Sequence, residues 1–274
     1  MNWFDLLSGL VLLHAIMATV AVVAGFLSGK SRIKKMASGL LLAVSLMQTG
    51  VILAGLSRHG LSLLPRSVYL EGLAWLLALT SLLIWRRPRL EGLVLVLAPF
   101  TLFVALAALV LDGQAALPET TVRNFFNIHV LCVFPALACM AAAFGAAVLF
   151  LLQEHTLKSK RPLNGVLRTL PPQSVLDKVN AVSTMLGFPL YSLGILFGMV
   201  SARLTWGFLL TGDPKELISL LVWLLYATLF HQRLAKGWRG KKPAYLALSI
   251  FGVTAFSLFV VNIFMNTYHS FLLR

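Results

Sequence analysis

Long apolar runs separated by short polar connections fill this chain. They lie at about residues 3–27, 36–57, 68–86, 91–112, 128–153, 180–203, 217–234 and 244–267. A helix that crosses the roughly 30 Å hydrocarbon core of a bilayer needs about 20 apolar residues, and each run is of that order. In lipid the backbone must satisfy its own N–H and C=O groups, so the runs predict helices; the alternating pattern of a membrane barrel is absent from the sequence. Pro99, Pro135 and Pro189 inside the runs are tolerable in that setting. Arg86-Arg87-Pro88-Arg89 predicts a tight hairpin between the third and fourth spans. The expected fold is all-α: a polytopic membrane helical bundle with eight transmembrane helices, forming a single integral membrane domain over 1–274.

Composition agrees with the pattern. Of 274 residues, 59% are hydrophobic and only 12% charged. A soluble domain with so few charges would expose large apolar patches. The 23 Lys and Arg against 9 Asp and Glu leave a net charge of +14. Such an excess often points to nucleic acid, but the apolar content makes the lipid bilayer the partner and excludes that reading. Lys30, Arg32, Lys34 and Lys35, then Arg86, Arg87 and Arg89, then Lys158, Lys160, Arg161, Arg168 and Lys178, then Arg233, Lys236, Arg239, Lys241 and Lys242 share one side. The other side holds Arg58, Arg66, Arg123, Arg203, Lys215 and Arg274, balanced by Asp5, Glu71, Asp112, Glu119, Asp213 and Glu216. Cytoplasmic connections carry the Lys/Arg excess. Both termini are therefore expected outside, with the chain multi-pass in the cell inner (cytoplasmic) membrane.

The first residues, Met1-Asn2-Trp3-Phe4-Asp5, lack the basic region of a signal peptide. The first span is expected to remain as a helix. The longest soluble stretch, about 154–179, is too short to build its own core. Function is expected within or beside the membrane. Cys132 and Cys139 lie seven apart on one helix, a rise of about 10.5 Å, too far for a disulfide; they read as structural thiols.

Ionisable residues inside spans are functional candidates by default, and here they are mainly histidines. His59 falls in an outer loop and His155 at a cytoplasmic helix end beside Glu154, where solvation or headgroups explain both. His14 lies about 16 Å along the first helix among Leu12, Leu13, Ala15 and Ile16. His231 nears the inner end of the seventh helix, so the two could reach similar depths as a pair, or each could simply bond across helices. His129 opens the fifth span and His269 closes the eighth on the same side, with Asn262, Asn266 and His269 on one helix face. Two such histidines can supply two axial nitrogens to one haem iron; the plainer alternative is two histidines at headgroup level. No acidic residue is expected deep in a span. Asp213-Pro214-Lys215-Glu216 is a helix start in which Asp213 caps, Pro214 takes the first position and Glu216 the capping-box position.

Several segments in order carry a resemblance: Trp206-Gly207, Asp213-Pro214-Lys215-Glu216, His231-Gln232-Arg233-Leu234, Lys236-Gly237-Trp238-Arg239-Gly240-Lys241, Val261-Asn262 and His269-Ser270. Together they resemble the CcsA-type cytochrome c assembly family, which includes HemX-like membrane proteins. The resemblance implies that His129 and His269 are axial ligands of a haem at the outer face, flanking a tryptophan-rich loop. It implies a second, membrane-embedded pair in which His231 matches well and His14 matches as the histidine of an early helix. The implied cofactor is haem b, held non-covalently, with Trp206 and Asp213 in the site's loop; Lys215 and Arg203 are candidates either for its propionates or for lipid headgroups. A membrane protein with a large outer domain and apocytochrome c are the implied partners. The chain departs from the family where tryptophans stand three and one residues before the aspartate: it has Leu210 and Gly212.

The expected function is haem handling in cytochrome c biogenesis, with delivery to apocytochrome c, as at most a component of a haem-attachment system. No acid, base or nucleophile is assigned. The alternative is a HemX-like regulator of haem biosynthesis that ligates no haem to a client. A small-solute transporter would want discontinuous helices and midplane charges. A quinone-linked cytochrome would want stacked histidine pairs on two helices.

Overall fold

The computed structural model describes residues 3–60, 64–87, 90–110, 120–160 and 170–258. The apolar runs become helices: α1 Trp3–Ser28, α2 Ser31–His59, α3 Arg66–Trp85, α4 Val94–Val110 after a 3₁₀ turn Glu91–Leu93, α5 Thr120–Lys158, α6 Gln173–Trp206, α7 Pro214–Lys236 and α8 Lys241–Phe256. Among the described residues there is no extended strand, and seven helices are long and apolar enough to cross a membrane. The eighth expected span begins as α8, and its second half, from residue 259, lies outside the described residues. The protein is an all-helical, multi-pass membrane bundle.

Two helices outrun their apolar stretches. α5 has 39 residues and α6 has 34, where the bilayer core needs about 20. The apolar run marks only the lipid-facing part. The helix continues into polar sequence because its backbone bonds remain satisfied there. In the third connection Leu90 N–H donates to the Arg87 carbonyl at 3.1 Å, a turn that reverses the chain between α3 and α4; Pro88 and Arg89 lie outside the described residues.

The helices fall into two compact units. The first comprises residues 1–115 and 152–173. Its α1 packs on α2 and α4, α2 on α3, and α3 on α4, closing a ring of four. Ala15, Ala18 and Ala21 of α1 are buried with Ala37, Val44, Ala78 and Ala98; small residues let helix backbones approach where lipid offers no hydrophobic drive. A Cβ on Gly55 would lie 2.7 Å from Val68, which fixes the level of α2 against α3. Trp75 Nε1 donates to Thr49 Oγ1 at 2.9 Å across the same pair. At the other end Lys34 bonds Glu91 at 3.0 Å and lies over the Phe26 ring, which meets Trp85 edge-on.

The second unit comprises residues 116–151 and 174–274. α6 bonds to both α5 and α7. Asn180 reaches the Ala143 carbonyl of α5, and Tyr191, Trp223 and Tyr226 bond between α6 and α7. Phe144 stacks on Phe251 at 4.5 Å, joining α5 to α8. Gly187 lies against the Tyr226 hydroxyl and Cys139 Cβ, so a side chain there has no room. Cys132 and Cys139 are free thiols, half-buried, as the spacing predicts.

Three ion pairs join described residues. Lys34–Glu91, Lys158–Glu154 and Arg233–Asp177 each join residues that the sequence assigns to one side.

Candidate functional site

His129 is half-buried on α5 and faces α6. The contact is built from two glycines one turn apart, Gly194 and Gly198, a small-xxx-small step of the kind that brings membrane helices close. A Cβ on Gly198 would lie 2.7 Å from His129 Nδ1, and one on Gly194 would lie 2.5 Å from Val133. The two glycines thus seat an imidazole and a valine from the facing helix. His129 Nδ1 lies 2.7 Å from the Gly194 carbonyl oxygen. A carbonyl only accepts, so Nδ1 carries the proton and donates it, and the lone pair resides on Nε2. Phe126 lies beside the ring at 6.1 Å, and Phe125 stacks on Phe197 at 6.2 Å, holding the same interface. Ligating histidines commonly donate their other N–H to a carbonyl, which fixes ring and tautomer. His129 has that arrangement.

Toward the end of α6, about 12 Å beyond Gly198, stands half-buried Trp206. Gly207 breaks the helix at φ +83°, a conformation glycine adopts without penalty. Phe208, Leu209 and Leu210 follow, all exposed. The chain re-enters as α7 through the expected start. Asp213 is buried and its Oδ1 accepts from Lys215 N at 2.8 Å, with Pro214 next. The capping box has a different outline from the expected one: Glu216 Oε2 accepts from Thr211 N at 2.7 Å, and Asp213 N donates to Thr211 Oγ1 instead. The loop is therefore closed on itself by Thr211, Asp213 and Glu216.

The remaining candidates are placed separately. His269 lies outside the described residues. His14 belongs to the first unit and His231 to the second, and each is described with its own unit. His14 is half-exposed on α1 and Nδ1 donates to the Leu10 carbonyl of its own helix at 2.8 Å. Exposed Leu10, Leu13 and Met17 flank it. His231 is exposed on α7. No group of three or more His, Cys, Asp or Glu that could hold a metal ion occurs among the described residues; a haem iron with two axial nitrogens requires none.

Three features were not drawn from the sequence. Arg233, two residues after His231, is buried and makes four bonds: to Asp177 Oδ1 at 3.0 Å, the Asp177 carbonyl at 3.4 Å, Asn180 Oδ1 at 2.7 Å and the Trp238 carbonyl at 2.8 Å. Asp177 Oδ1 also accepts from Gly240 N at 2.9 Å. The three-residue step from Asp177 to Asn180 was the available signal, since it puts both on one helix face. The Gly194/Gly198 step is legible in the same way. The third is Glu71: counted among the outer charges, it lies buried within the first unit, in the second turn of α3.

A family model described as cytochrome C assembly protein matches residues 3–269. The Cytochrome c biogenesis protein CcsA of Synechocystis sp. is 41% identical over 108 residues, which cover 38% of this chain and 32% of that protein. CcsA of Rippkaea orientalis is 37% identical over 136 residues, covering 50% and 40% respectively. The matched segments thus span well under half of these curated relatives. A solved structure, the Cytochrome c Heme Lyase CcmF, aligns with a TM-score of 0.64 at 17% identity, over 90% of this chain and 45% of that one; this is a likeness of fold. With helices, buried cap and family model running together along nearly the whole sequence, the chain belongs to the cytochrome C assembly protein family.

Proposed function

We propose that this protein handles haem in cytochrome c biogenesis. It holds haem b non-covalently at the outer membrane face, with His129 and His269 as the axial pair, for delivery to apocytochrome c. The observation that carries the reading is the His129 Nδ1 donation to the Gly194 carbonyl, which directs the basic nitrogen to Nε2. Asp213 caps α7 and Trp206 ends α6 beside the exposed loop 207–210, so both help shape the site's edge. Haem supplies the iron and the reactive porphyrin; thioether formation belongs to the client's cysteines, and this chain supplies binding and orientation. His14 and His231 form the second candidate pair, at an earlier stage of transfer. The single membrane domain, the terminal sides and a partner with a large outer domain belong to the same reading.

Purification in detergent from haem-replete cells tests it. The expected result is a bis-histidine haem spectrum, lost in His129→Ala and His269→Ala. Absence of haem in the wild type, with none taken up on titration, sinks the reading. A HemX-like regulatory role is favoured by Leu210 and Gly212, both exposed where the family carries tryptophans. Deleting the gene and staining for covalent haem separates the two: unchanged c-type cytochromes with altered tetrapyrrole levels favour the regulator.

A further inference from the structure

The first unit buries several polar side chains, and most settle their needs locally. Ser45, Ser81 and Thr101 each donate to the carbonyl four residues back. Gln48 of α2 and Glu71 of α3 do not. Gln48 is 0% exposed and Glu71 is 2% exposed. The Gln48 carboxamide lies close enough to the Glu71 carboxyl to interact with it, but no contact of hydrogen-bond geometry closes on Gln48 Nε2, Gln48 Oε1 or Glu71 Oε2. Buried polar groups in proteins are overwhelmingly paired, and a buried carboxyl–carboxamide couple with three orphan atoms marks a place where something small binds.

The surroundings select the guest. Glu71 takes part in none of the ion pairs among the described residues, which are Lys34–Glu91, Lys158–Glu154 and Arg233–Asp177. α4, packed against α3, carries no titratable residue between Val94 and Val110. α2 carries Arg58 and His59 at one end and Arg32, Lys34 and Lys35 at the other; α3 carries Arg66 and Tyr69 near its start. α1 carries Asp5 and His14, the latter bonded to its own helix. An alkali ion needs several oxygen ligands. Here the Ser45 hydroxyl is committed to Leu41 and the Thr49 hydroxyl to Ser45 and Trp75, which leaves the Glu71 and Gln48 oxygens. A proton needs one acceptor. Isolated charge in an apolar interior is removed by taking up a proton.

We propose that Glu71 and Gln48 form a membrane-buried proton-binding site. Glu71 rests there as the neutral acid, its O–H donates to Gln48 Oε1, and the proton comes from and returns to bulk water. The site is independent of the haem reading and titrates within the first unit.

A hydrophobic carbodiimide tests this on the full chain reconstituted in lipid vesicles. The protonated carboxyl adds across the reagent's C=N bond, its proton passes to nitrogen, and the adduct rearranges to a stable N-acylurea that peptide mass spectrometry locates. Glu71 should label at neutral pH, and labelling should fall about tenfold for each pH unit above its titration. A water-soluble carbodiimide should leave it untouched. Glu71→Gln should abolish the label while keeping the wild-type thermal midpoint at neutral pH, since the amide mimics a neutral acid. Gln48→Leu should shift the pH at which labelling falls. Protection by sodium would overturn the proposal in favour of an alkali-ion site. Equal labelling by the water-soluble reagent, or Glu71 that labels only after denaturation, would overturn it in favour of a solvated or ionised carboxylate. An unchanged pH profile in Gln48→Leu would remove Gln48 from the site.

Discussion

Arg233 Nη1 lies 3.0 Å from Asp177 Oδ1, and the pair ties the C-terminal end of α7 to the start of α6. The guanidinium side chain is 4% exposed and also reaches Asn180 and the Trp238 carbonyl. Through Gly240 N the same carboxylate holds the turn that leads to α8. Breaking a buried pair from one side leaves an uncompensated charge, at about 3–5 kcal/mol. Arg233→Met and Asp177→Asn should therefore each lower the thermal midpoint in detergent markedly. The double variant should lose much less than the sum of the two. Additive losses would mean the pair carries no coupling.

Asp213 governs the other end of α7. Its carboxylate accepts from Lys215 N at 2.8 Å, and removing such a cap costs about 1 kcal/mol. Asp213→Ala should lower thermal stability by that order, whereas Asp213→Asn and Asp213→Ser, which keep an acceptor oxygen, should lower it less. Circular dichroism melts of the three variants in one detergent provide the comparison.

The helices were legible because lipid enforces one solution for a long apolar run. The cap at Asp213 was legible because its chemistry is local. What the sequence hid is tertiary. Glu71 sits only three residues inside its apolar run, so its charge reads as an outer-loop charge until α2 and α4 are packed around it. Arg233 and Asp177 read as two topology charges among 17 basic and three acidic residues on one side, because pairing across 56 positions follows from helix packing rather than spacing. Gly194 and Gly198 show their spacing in the sequence, but not that a histidine from α5 sits against them.

The charge asymmetry predicts which connections face the cytoplasm. In a background lacking Cys132 and Cys139, Asn164→Cys should resist an impermeant maleimide added from outside to intact cells or spheroplasts. Ala116→Cys should label. The reverse pattern would invert the bundle and place His129 on the cytoplasmic side.

The seat of His129 makes the sharpest demand on the haem reading. Gly198 presses on the imidazole: a Cβ there would lie 2.7 Å from Nδ1 and 3.0 Å from Cε1. Gly198→Ala must push the ring away from α6 and weaken the 2.7 Å bond to the Gly194 carbonyl. Loss of such an orienting bond behind a metal ligand costs about 10–100-fold in affinity. Haem titration of Gly198→Ala, followed at the Soret band, should show weakening of that order with the helix content unchanged. Gly252→Ala, where α8 leaves open space around the added methyl, should bind as the wild type does. If both variants titrate like the wild type, the Gly194 carbonyl does not orient the ligand and His129 loses the observation that singles it out.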